Sequence, residues 1–404
     1  MISKPRGSPS SVSRRVRSSG VVRGVRDILR EPLLTVWALF LLLSPIYTFS
    51  SGLPQPADYL MLLLVPMSLR VWSGRLPGHQ KQITLALFGF ITYVVLSAIV
   101  WSVVEGSVAI NLKDGFVLSP LFWVFNMCAF VCALVLYQRF GDRFIALTVH
   151  VTLLAMLMQV PLIAISGRSN GLRSAGLFNN PNQLGYYAAI SIAIVLFGQK
   201  RAGLTSVWAT VALACGSFLA IASASKAALA AVAFVIMIAT MSRLRTILLF
   251  AVVASALVVA VEPLREYIER ATLRITTDQQ RSFVEERGYD RVIEHPEYWL
   301  LGAGEGGYRR FAETTAIGSH ELHSSAGTLF FCYGIAGTLL FLVFIFRAIR
   351  GAGMRQILMA AAVGSYGLSH HGLRVTLLWV FLAFMVVAGT RGLLRAPQPR
   401  MAIR

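Results

Sequence analysis

The sequence is poor in charge and, outside one segment, nearly devoid of acidic residues. Of its 404 residues, 14% are charged and 56% are hydrophobic. Soluble globular domains carry about 25% charged residues, so this composition excludes an ordinary soluble protein. Cysteine is also scarce. The four cysteines lie inside apolar runs, where thiols are usually small core residues, and no disulfide framework is readable.

Familiar catalytic motifs are missing as well. The chain has no P-loop, no nucleophile elbow and no dinucleotide-binding fingerprint. Its net charge of +19 would suit nucleic acid, but the basic residues sit at the ends of apolar runs, where the positive-inside rule places them in cytoplasmic loops. We therefore expect no nucleic-acid partner, and we expect contacts with membrane lipids instead.

What the chain has in quantity is long apolar runs. Many of them reach about 17–22 residues, enough to cross a bilayer core of roughly 30 Å as a helix. The alternation typical of barrel strands is absent, so the sequence predicts an all-α polytopic membrane protein with about twelve transmembrane helices. The predicted spans are 33–50, 58–72, 83–103, 116–137, 143–165, 184–198, 203–221, 226–242, 244–261, 326–347, 356–370 and 374–391.

The loops between these spans predict the orientation. Every loop on the side of the basic N-terminal tail carries lysine or arginine, whereas most loops on the other side are poor in both. The N-terminal segment lacks a signal-peptidase site followed by a soluble domain, so we expect a cytoplasmic tail there. We divide the chain into a basic cytoplasmic tail (1–32), nine helices (33–261), one large extracytoplasmic lobe (262–325), three helices (326–391) and a second basic tail (392–404).

The lobe interrupts the apolar pattern between the ninth and tenth spans. Twelve of the 18 acidic residues fall between Glu262 and Glu321. A chain otherwise built for a bilayer needs a reason to hold one large hydrated segment, and we interpret it as half of an active site. Arginine on the outer side opposes the positive-inside rule, so arginines in the lobe and in the loop 166–183 are candidates for a functional role.

The first candidate motif opens the sixth span. Arg173 lies upstream of Asn179, Pro181 and Asn182, and Asn-Pro followed by Asn is typical of a helix start. A helix N-terminus beside an arginine suits phosphate oxygens. The alternative is a capped helix entry with an interfacial arginine. Lys226, in another outer turn, is predicted to lie near the same surface.

The lobe contributes a series of arginines, whose guanidinium groups bind phosphate bidentately. Arg287 and Arg291 lie among acidic residues at helical spacing, so we interpret them as surface ion pairs. Arg281 lies in a less acidic stretch and is the stronger candidate for an anion.

Two histidines, His320 and His323, precede the tenth span. They could share a helix face and bind a metal, but no carboxylate or thiol stands at convincing ligand spacing, so no metal site is expected. A histidine at the membrane surface can take a proton from a hydroxyl near neutral pH, or can have no chemical role. His370 and His371, in the last outer turn, are interpreted as interfacial anchors.

In these segments the sequence resembles the O-antigen ligase/O-antigen polymerase superfamily, over roughly residues 160–345. The motif at Arg173 is similar to that family's R-x-x-G-x-F-x-N-P-N element, with looser spacing. Counting back from Pro296 places Arg281 at the family's lobe arginine, which precedes a His-Pro and a Gly-x-Gly turn. Gly334 and Gly337 register His323 with the family's histidine.

Three features depart from the family pattern. Ser324 replaces the usual Asn after the histidine, Lys226 replaces an arginine, and the common Trp after the lobe arginine is absent. The phosphate and hydroxyl roles remain possible with these replacements.

The resemblance implies a metal-independent membrane glycosyltransferase that uses no cofactor. Its donor would be an undecaprenyl-diphosphate-linked oligosaccharide, handled in the bacterial inner membrane by a site that faces the periplasm. In this expectation, Arg173 and Arg281 bind the diphosphate and His323 takes the proton from the acceptor hydroxyl. The supporting residues are Asn179, Asn182, Lys226 and His320.

The sequence leaves the acceptor open. A polymerase or exopolysaccharide enzyme extends another lipid-linked glycan, and we favour it because nothing is specific for lipid A–core, the acceptor of a ligase. Protein O-glycosylation is a further option. The competing classes are a transporter or flippase for a solute or lipid-linked sugar, and a structural scaffold, which would leave the outer arginines unexplained.

Overall fold

The computed structural model describes residues 30–241, 282–311 and 320–393, with short stretches between 265 and 273; residues 51, 75, 112–113, 167–168 and 171–172 are excepted. The predicted ninth span, 244–261, and most of both predicted tails lie outside the described residues.

The described part of the chain is mostly helical. Its principal helices are α1 (Pro32–Leu43), α2 (Pro56–Val71), α3 (Gly78–Val104), α4 (Leu118–Phe140), α5 (Asp142–Ser166), α6 (Pro181–Gly198), α7 (Ser206–Ser223), α8 (Lys226–Thr240), α9 (Phe283–Arg287), α10 (Asp290–Glu294), α11 (Ser325–Ile349), α12 (Met354–Ser365) and α13 (Thr376–Leu393). One short antiparallel pair, β1 (Ser169–Asn170) and β2 (Arg173–Ser174), precedes α6. The all-α prediction is confirmed, whereas the count of twelve spans stays a prediction.

Several of these helices suit a bilayer. Within the described residues, α3, α4, α7, α11 and most of α5 are long and apolar enough to cross a membrane, and α1, α8 and α13 are apolar but shorter. Their outward faces are apolar too, since α3 exposes Leu85, Phe88 and Leu96. A helix that is hydrophobic all round yet only partly buried fits lipid rather than water. The chain is therefore a membrane-embedded helical protein.

Helix α6 forms the centre of the bundle, and nearly all of its residues are buried. Its start follows from the sequence: the Asn180 side chain accepts a hydrogen bond from the Asn182 amide (2.8 Å), and Pro181 occupies the first turn. At Gly185 a Cβ would lie 2.5 Å from Ala228 on α8, so only glycine permits this close helix packing.

The two ends of the bundle differ in their contacts. At one end, arginines of the predicted cytoplasmic loops bond to helix ends: Arg347 donates to the Gln82 carbonyl (3.1 Å) and Arg355 to the Ala239 carbonyl (2.8 Å). At the other end lie β2, the described lobe and the turns before α11 and α13. The predicted outer loops thus share one end of the molecule.

The lobe completes a broken membrane helix. Helix α11 is interrupted at Gly334, whose φ of 64° lies in the left-handed region. The carbonyl oxygens of Phe331 and Cys332 accept hydrogen bonds from the lobe amides of Ala303 and Gly304, each at 2.8 Å. A bilayer offers no water to backbone groups that a helix break exposes, so the lobe supplies their partners.

The backbones of the lobe and of α11 lie very close together where α11 is interrupted; we call this contact the junction. A Cβ on Gly334 would lie 2.5 Å from a lobe carbonyl oxygen, and one on Gly302 would lie 2.4 Å from the Cys332 carbonyl oxygen. On the other side of the lobe, Tyr93 of α3 donates to the Leu301 carbonyl (2.7 Å). The segment around residue 302 therefore packs between α3 and α11, and this packing holds the lobe in position beside the site.

Candidate functional site

Arg173 lies on β2, beside the start of α6. Its Nε donates to the Ser223 carbonyl (3.0 Å) and its Nη2 donates to the Asn182 side-chain oxygen. These contacts hold a half-buried guanidinium at the lobe end of the bundle. The first amides of α6 are bonded to Asn180, so they are occupied within the chain, and the predicted phosphate site stays a prediction. An anion here would rest on the arginine itself.

The other residues of this motif support the scaffold. Asn179 is exposed and donates to the Phe49 carbonyl (2.7 Å), which ties it to the first outer loop. The Asn182 carbonyl accepts from the Tyr366 hydroxyl (2.9 Å), which links α6 to the last outer turn. Lys226 is exposed at the start of α8, at the same end of the bundle.

Arg281 lies outside the described residues, so its predicted role stays a prediction. The described lobe brings a different arginine to the site. Arg287, at the end of α9, pairs with Glu286 (3.2 Å) as predicted, but its Nη1 also lies 3.4 Å from Nδ1 of His370. Only 13% of its side chain is exposed, so it is not simply a surface ion pair.

The interpretation of Arg291 as a surface ion pair is wrong. It is 1% exposed, and its guanidinium lies over the rings of Tyr308 (5.6 Å) and Phe311 (5.9 Å). A guanidinium is weakly hydrated and stacks on aromatic faces, which is how it is accommodated there. Helical spacing among acidic residues did not reveal this because the aromatic partners come from a later part of the lobe.

His320 and His323 are both exposed and precede α11. Nδ1 of His323 lies 2.9 Å from the backbone oxygen of Glu321, an acceptor. That carbonyl selects the tautomer with the proton on Nδ1, which leaves the lone pair of Nε2 available. Among the described residues no three potential metal ligands form a group.

The last outer turn, residues 366–374, is clamped to the start of α11. Ser325 bonds to the turn on both sides of His371: its amide and hydroxyl donate to the His370 carbonyl (3.2 Å each), and its hydroxyl accepts from the Leu373 amide (3.3 Å). Because Ser325 stands two residues after His323, this clamp brings both histidines of the turn to the site. Their interpretation as interfacial anchors stays a prediction.

A buried carboxylate joins the lobe to three other elements. Glu305 is 3% exposed and accepts from Trp123 (2.9 Å) and from the Tyr333 hydroxyl (2.5 Å), while Arg374 pairs with it at 2.6 Å. Burial alone would raise the pKa of Glu305, but Arg374, His371 and the Tyr333 hydroxyl lower it to about 2. The carboxylate is therefore ionised, and it fixes the position of Arg374.

The site has a cationic side, which consists of Arg173, Arg287 and His370. Burial, and then the positive charges of Arg287 and Arg173, lower the pKa of His370 to about 3. His370 is therefore neutral near pH 7, with two permanent positive charges acting on it. This arrangement favours an anion, since guanidinium groups form strong charge-assisted bonds to phosphate.

The site also has an acidic side, which consists of Glu305, Glu321, Arg374 and His371. Arg374 bridges the two carboxylates, at 2.6 Å from each. Burial and Arg374 lower the pKa of His371 to about 4, although both carboxylates act in the opposite direction. Two carboxylates against one guanidinium give this side a net negative charge.

His323 lies near both sides: its electrostatic interaction reaches His370 on the cationic side and His371 on the acidic side. The structure thus brings Arg173 and His323, two of the three predicted principal residues, to one region. Sequence reasoning missed Glu305, Arg374 and both histidines of the turn; their only signal was charge in an outer turn and in a glycine-rich loop.

No family model matches the chain, and no curated protein matches it.

Proposed function

We propose that this protein is a membrane glycosyltransferase that transfers or polymerises glycan from an undecaprenyl-diphosphate-linked donor during assembly of a surface polysaccharide. The observation that carries the proposal is that His323 lies near both a cationic and an acidic side. A polyprenyl-diphosphate sugar has the same polarity: a doubly phosphorylated end joined to a neutral, hydroxyl-rich glycan. The bond that breaks lies between those two parts, where His323 would be.

The proposed reaction uses each side in turn. The acceptor hydroxyl attacks the anomeric carbon of the donor, and the bond from that carbon to the diphosphate oxygen breaks. The electron pair leaves with the diphosphate, whose growing charge Arg173 and Arg287 stabilise. Nε2 of His323 takes the proton from the attacking hydroxyl. Arg281 remains a proposed third partner of the diphosphate, on the family resemblance.

The site has no feature that selects an acceptor. A second lipid-linked glycan makes the protein a polymerase, which we favour, and lipid A–core makes it a ligase. In both cases the site belongs on the periplasmic face of the bacterial inner membrane.

Two observations weigh against a transporter. Among the described residues, the fully buried charged side chains are Arg291 and Glu305, and both belong to the lobe rather than to the middle of the bundle. The break in α11 is filled by lobe backbone, so the carbonyls of Phe331 and Cys332 are not open to a transported ion.

A deletion strain tests the proposal. We expect single-repeat surface glycans if the protein is a polymerase, and full-length lipid-linked polymer that is not transferred if it is a ligase. Expression of the wild-type gene or of a His79→Asn variant, which changes a histidine at the opposite end of the bundle, should restore the glycans. A His323→Asn variant should not. Unaltered surface glycans in the deletion strain would reject the proposal.

A further inference from the structure

The lobe has an apolar surface where it meets the membrane helices. Leu300 and Leu301 are 65% and 62% exposed, and Trp299 beside them is exposed as well. The segment from Tyr298 to Gly304 carries no charged residue. Three consecutive large apolar side chains are unfavourable in water, so the surroundings of this part of the lobe need a physical explanation.

On one side, the backbone of this segment bonds to α11. The carbonyl oxygen of Trp299 accepts a hydrogen bond from the amide of Ile335 (2.7 Å), and that of Leu300 accepts from the amide of Ala336 (3.1 Å). Both amides follow the break at Gly334, and the first amides after a break lack partners within their own helix. The lobe therefore caps the second half of α11.

On the other side, the same segment bonds to α3. The carbonyl oxygen of Leu301 accepts from the Tyr93 hydroxyl (2.7 Å), and that of Gly302 accepts from the indole N–H of Trp101 (3.1 Å). Four consecutive carbonyls, from residue 299 to residue 302, are thus satisfied by two apolar helices. The backbone faces these helices, whereas the leucine side chains face outward.

The partners of these carbonyls lie well inside the apolar helices. Tyr93 precedes Val104, the last residue of α3, by eleven positions, which is about 16 Å along the helix axis. The outward side of α3 stays apolar to its end, where Val104 is exposed. The ring of Tyr93 also packs against Gly337 of α11, since a Cβ there would lie 2.8 Å from it. The segment that bonds to Tyr93 therefore lies below the membrane surface.

We propose that residues 299–301 form a re-entrant anchor, whose side chains contact lipid acyl chains in the leaflet at the lobe end of the bundle. Non-helical backbone is tolerated at this depth only where protein satisfies its polar groups, which α3 and α11 do here. The exposed leucines adjoin the outward faces of both helices, which are apolar and fit lipid. The preceding Tyr298 and Trp299 are the residue types that favour the membrane–water boundary.

The inference goes beyond the proposed function and does not rest on it. It also changes the expectation that the whole lobe is hydrated, because this part of it would lie in hydrocarbon. Glycan transfer is not needed for lipid contact, so a failure of the proposed function would leave the anchor in place.

Single cysteines test the position of the anchor in the full-length protein in lipid nanodiscs. Leu300→Cys reports on the anchor, and Leu301→Cys repeats the measurement at the neighbouring position. Leu96→Cys is the control for lipid, since Leu96 is 55% exposed on the apolar face of α3. Arg309→Cys is the control for water, on an exposed side chain of the lobe. The four native cysteines lie within helices, and their labelling in the wild-type protein is subtracted.

The first measurement is the rate of reaction with a charged, membrane-impermeant maleimide. Only the thiolate reacts, and a thiol in hydrocarbon stays protonated, so Leu300→Cys and Leu301→Cys should react about a hundredfold more slowly than Arg309→Cys. Their rates should match that of Leu96→Cys. After denaturation in sodium dodecyl sulfate all four variants should react equally, which shows that the thiols are intact.

The second measurement identifies what covers the anchor. The same cysteines would carry a small bimane fluorophore, and the nanodiscs would contain phospholipids with a nitroxide on the acyl chain. We expect the nitroxide to quench bimane at positions 300 and 96 to a similar extent, and bimane at position 309 only weakly. Contact with the acyl chains is the condition for this quenching.

Two results would overturn the inference. If Leu300→Cys reacts with the maleimide as fast as Arg309→Cys, this part of the lobe lies in water. If it reacts slowly but its bimane is not quenched by the nitroxide lipids, a protein surface covers it, such as a second copy of the chain. Neither measurement uses a glycan, so both results are independent of the proposed transfer reaction.

Discussion

The cationic and acidic sides of the site meet in the last outer turn, where His370 belongs to the first and the next residue, His371, belongs to the second. His370 lies beside Arg173 and Arg287, whereas His371 lies beside two carboxylates and the arginine that bridges them. Both imidazoles are neutral near pH 7, so neither sets the charge of its surroundings. The charges come instead from separate parts of the chain, which the turn before α13 keeps apart.

The difference teaches how one small site can hold a ligand of mixed polarity. A uniformly positive site would bind the diphosphate but would compete for the sugar hydroxyls with extra donors. A carboxylate-rich site would bind the hydroxyls but repel the phosphates. With one side of each kind, the proposed ligand would have the join between its phosphates and its sugar near His323.

The largest effect should follow from changing His323, the residue near both sides. We expect His323→Asn to lower the turnover number for glycan transfer about a thousandfold, in the range measured for loss of a general base. Turnover would be measured with purified protein, lipid-linked donor and acceptor. His79→Asn should retain full turnover. If His323→Asn turns over as fast as the wild-type protein, His323 is not the general base.

On the acidic side, Glu305→Gln should cost about 3 kcal/mol of stability, because it leaves the largely buried guanidinium of Arg374 with one partner fewer. Its folded pKa of about 2 lies below the ordinary 4.5, so the carboxylate stabilises the fold above pH 4.5 and loses that effect as the pH falls towards 2.

The measurement is the thermal unfolding midpoint in detergent between pH 2 and pH 7. The wild-type midpoint should fall over the acid range more steeply than that of Glu305→Gln. Glu321→Gln, at a carboxylate that is 38% exposed, should have a smaller effect at pH 7. Equal effects of the two substitutions would contradict the central position of Glu305.

The junction beneath both sides should be sensitive to a single methyl group. Gly334→Ala places a Cβ at a positive φ and 2.5 Å from lobe backbone, which should cost about 2 kcal/mol and loosen the lobe. Gly364→Ala is the matched control, because no atom lies within 4 Å of its added Cβ. Limited proteolysis of the lobe should accelerate in the first variant alone. Equal protection in both would show that the lobe is not held by this junction.

The smallest effect is expected on the cationic side. Arg287→Lys keeps the charge but loses the forked geometry, so kcat/KM for the lipid-linked donor should fall about tenfold. Arg309→Lys is the control: Arg309 is 70% exposed and pairs with Asp114 at 2.7 Å. Inhibition by pyrophosphate should weaken in parallel with the Arg287 variant. A loss of the same size in the control would point to a general effect of surface charge.

The helices of this fold could be predicted from the sequence, but the contacts between distant parts of the chain could not. Apolar runs predicted helices, because helix formation in a bilayer depends on local hydrophobicity. The cap at Asn180 and the proximity of Arg173 to Asn182 were readable from local spacing. Those inferences use residues within about ten positions of each other.

The missed residues depend on contacts that span the chain. Glu305 bonds to Trp123, which precedes it by 182 positions, and Arg287 meets His370, which follows it by 83. No pattern in the neighbouring sequence predicts such partners. The two histidines before Arg374 are equally typical of an interfacial turn without a site. The break in α11 was likewise hidden, because its freed carbonyls are satisfied by a loop from elsewhere.

The most direct test of the central claim is release of polyprenyl diphosphate. Purified protein in nanodiscs would be given lipid-linked oligosaccharide and acceptor, and both products would be followed by mass spectrometry. We predict that free polyprenyl diphosphate and the extended glycan appear in equal amounts with wild-type protein, and that His323→Asn and an Arg173→Gln, Arg287→Gln double variant form neither. A donor that stays intact with wild-type protein, or equal product from the variants, would contradict the account.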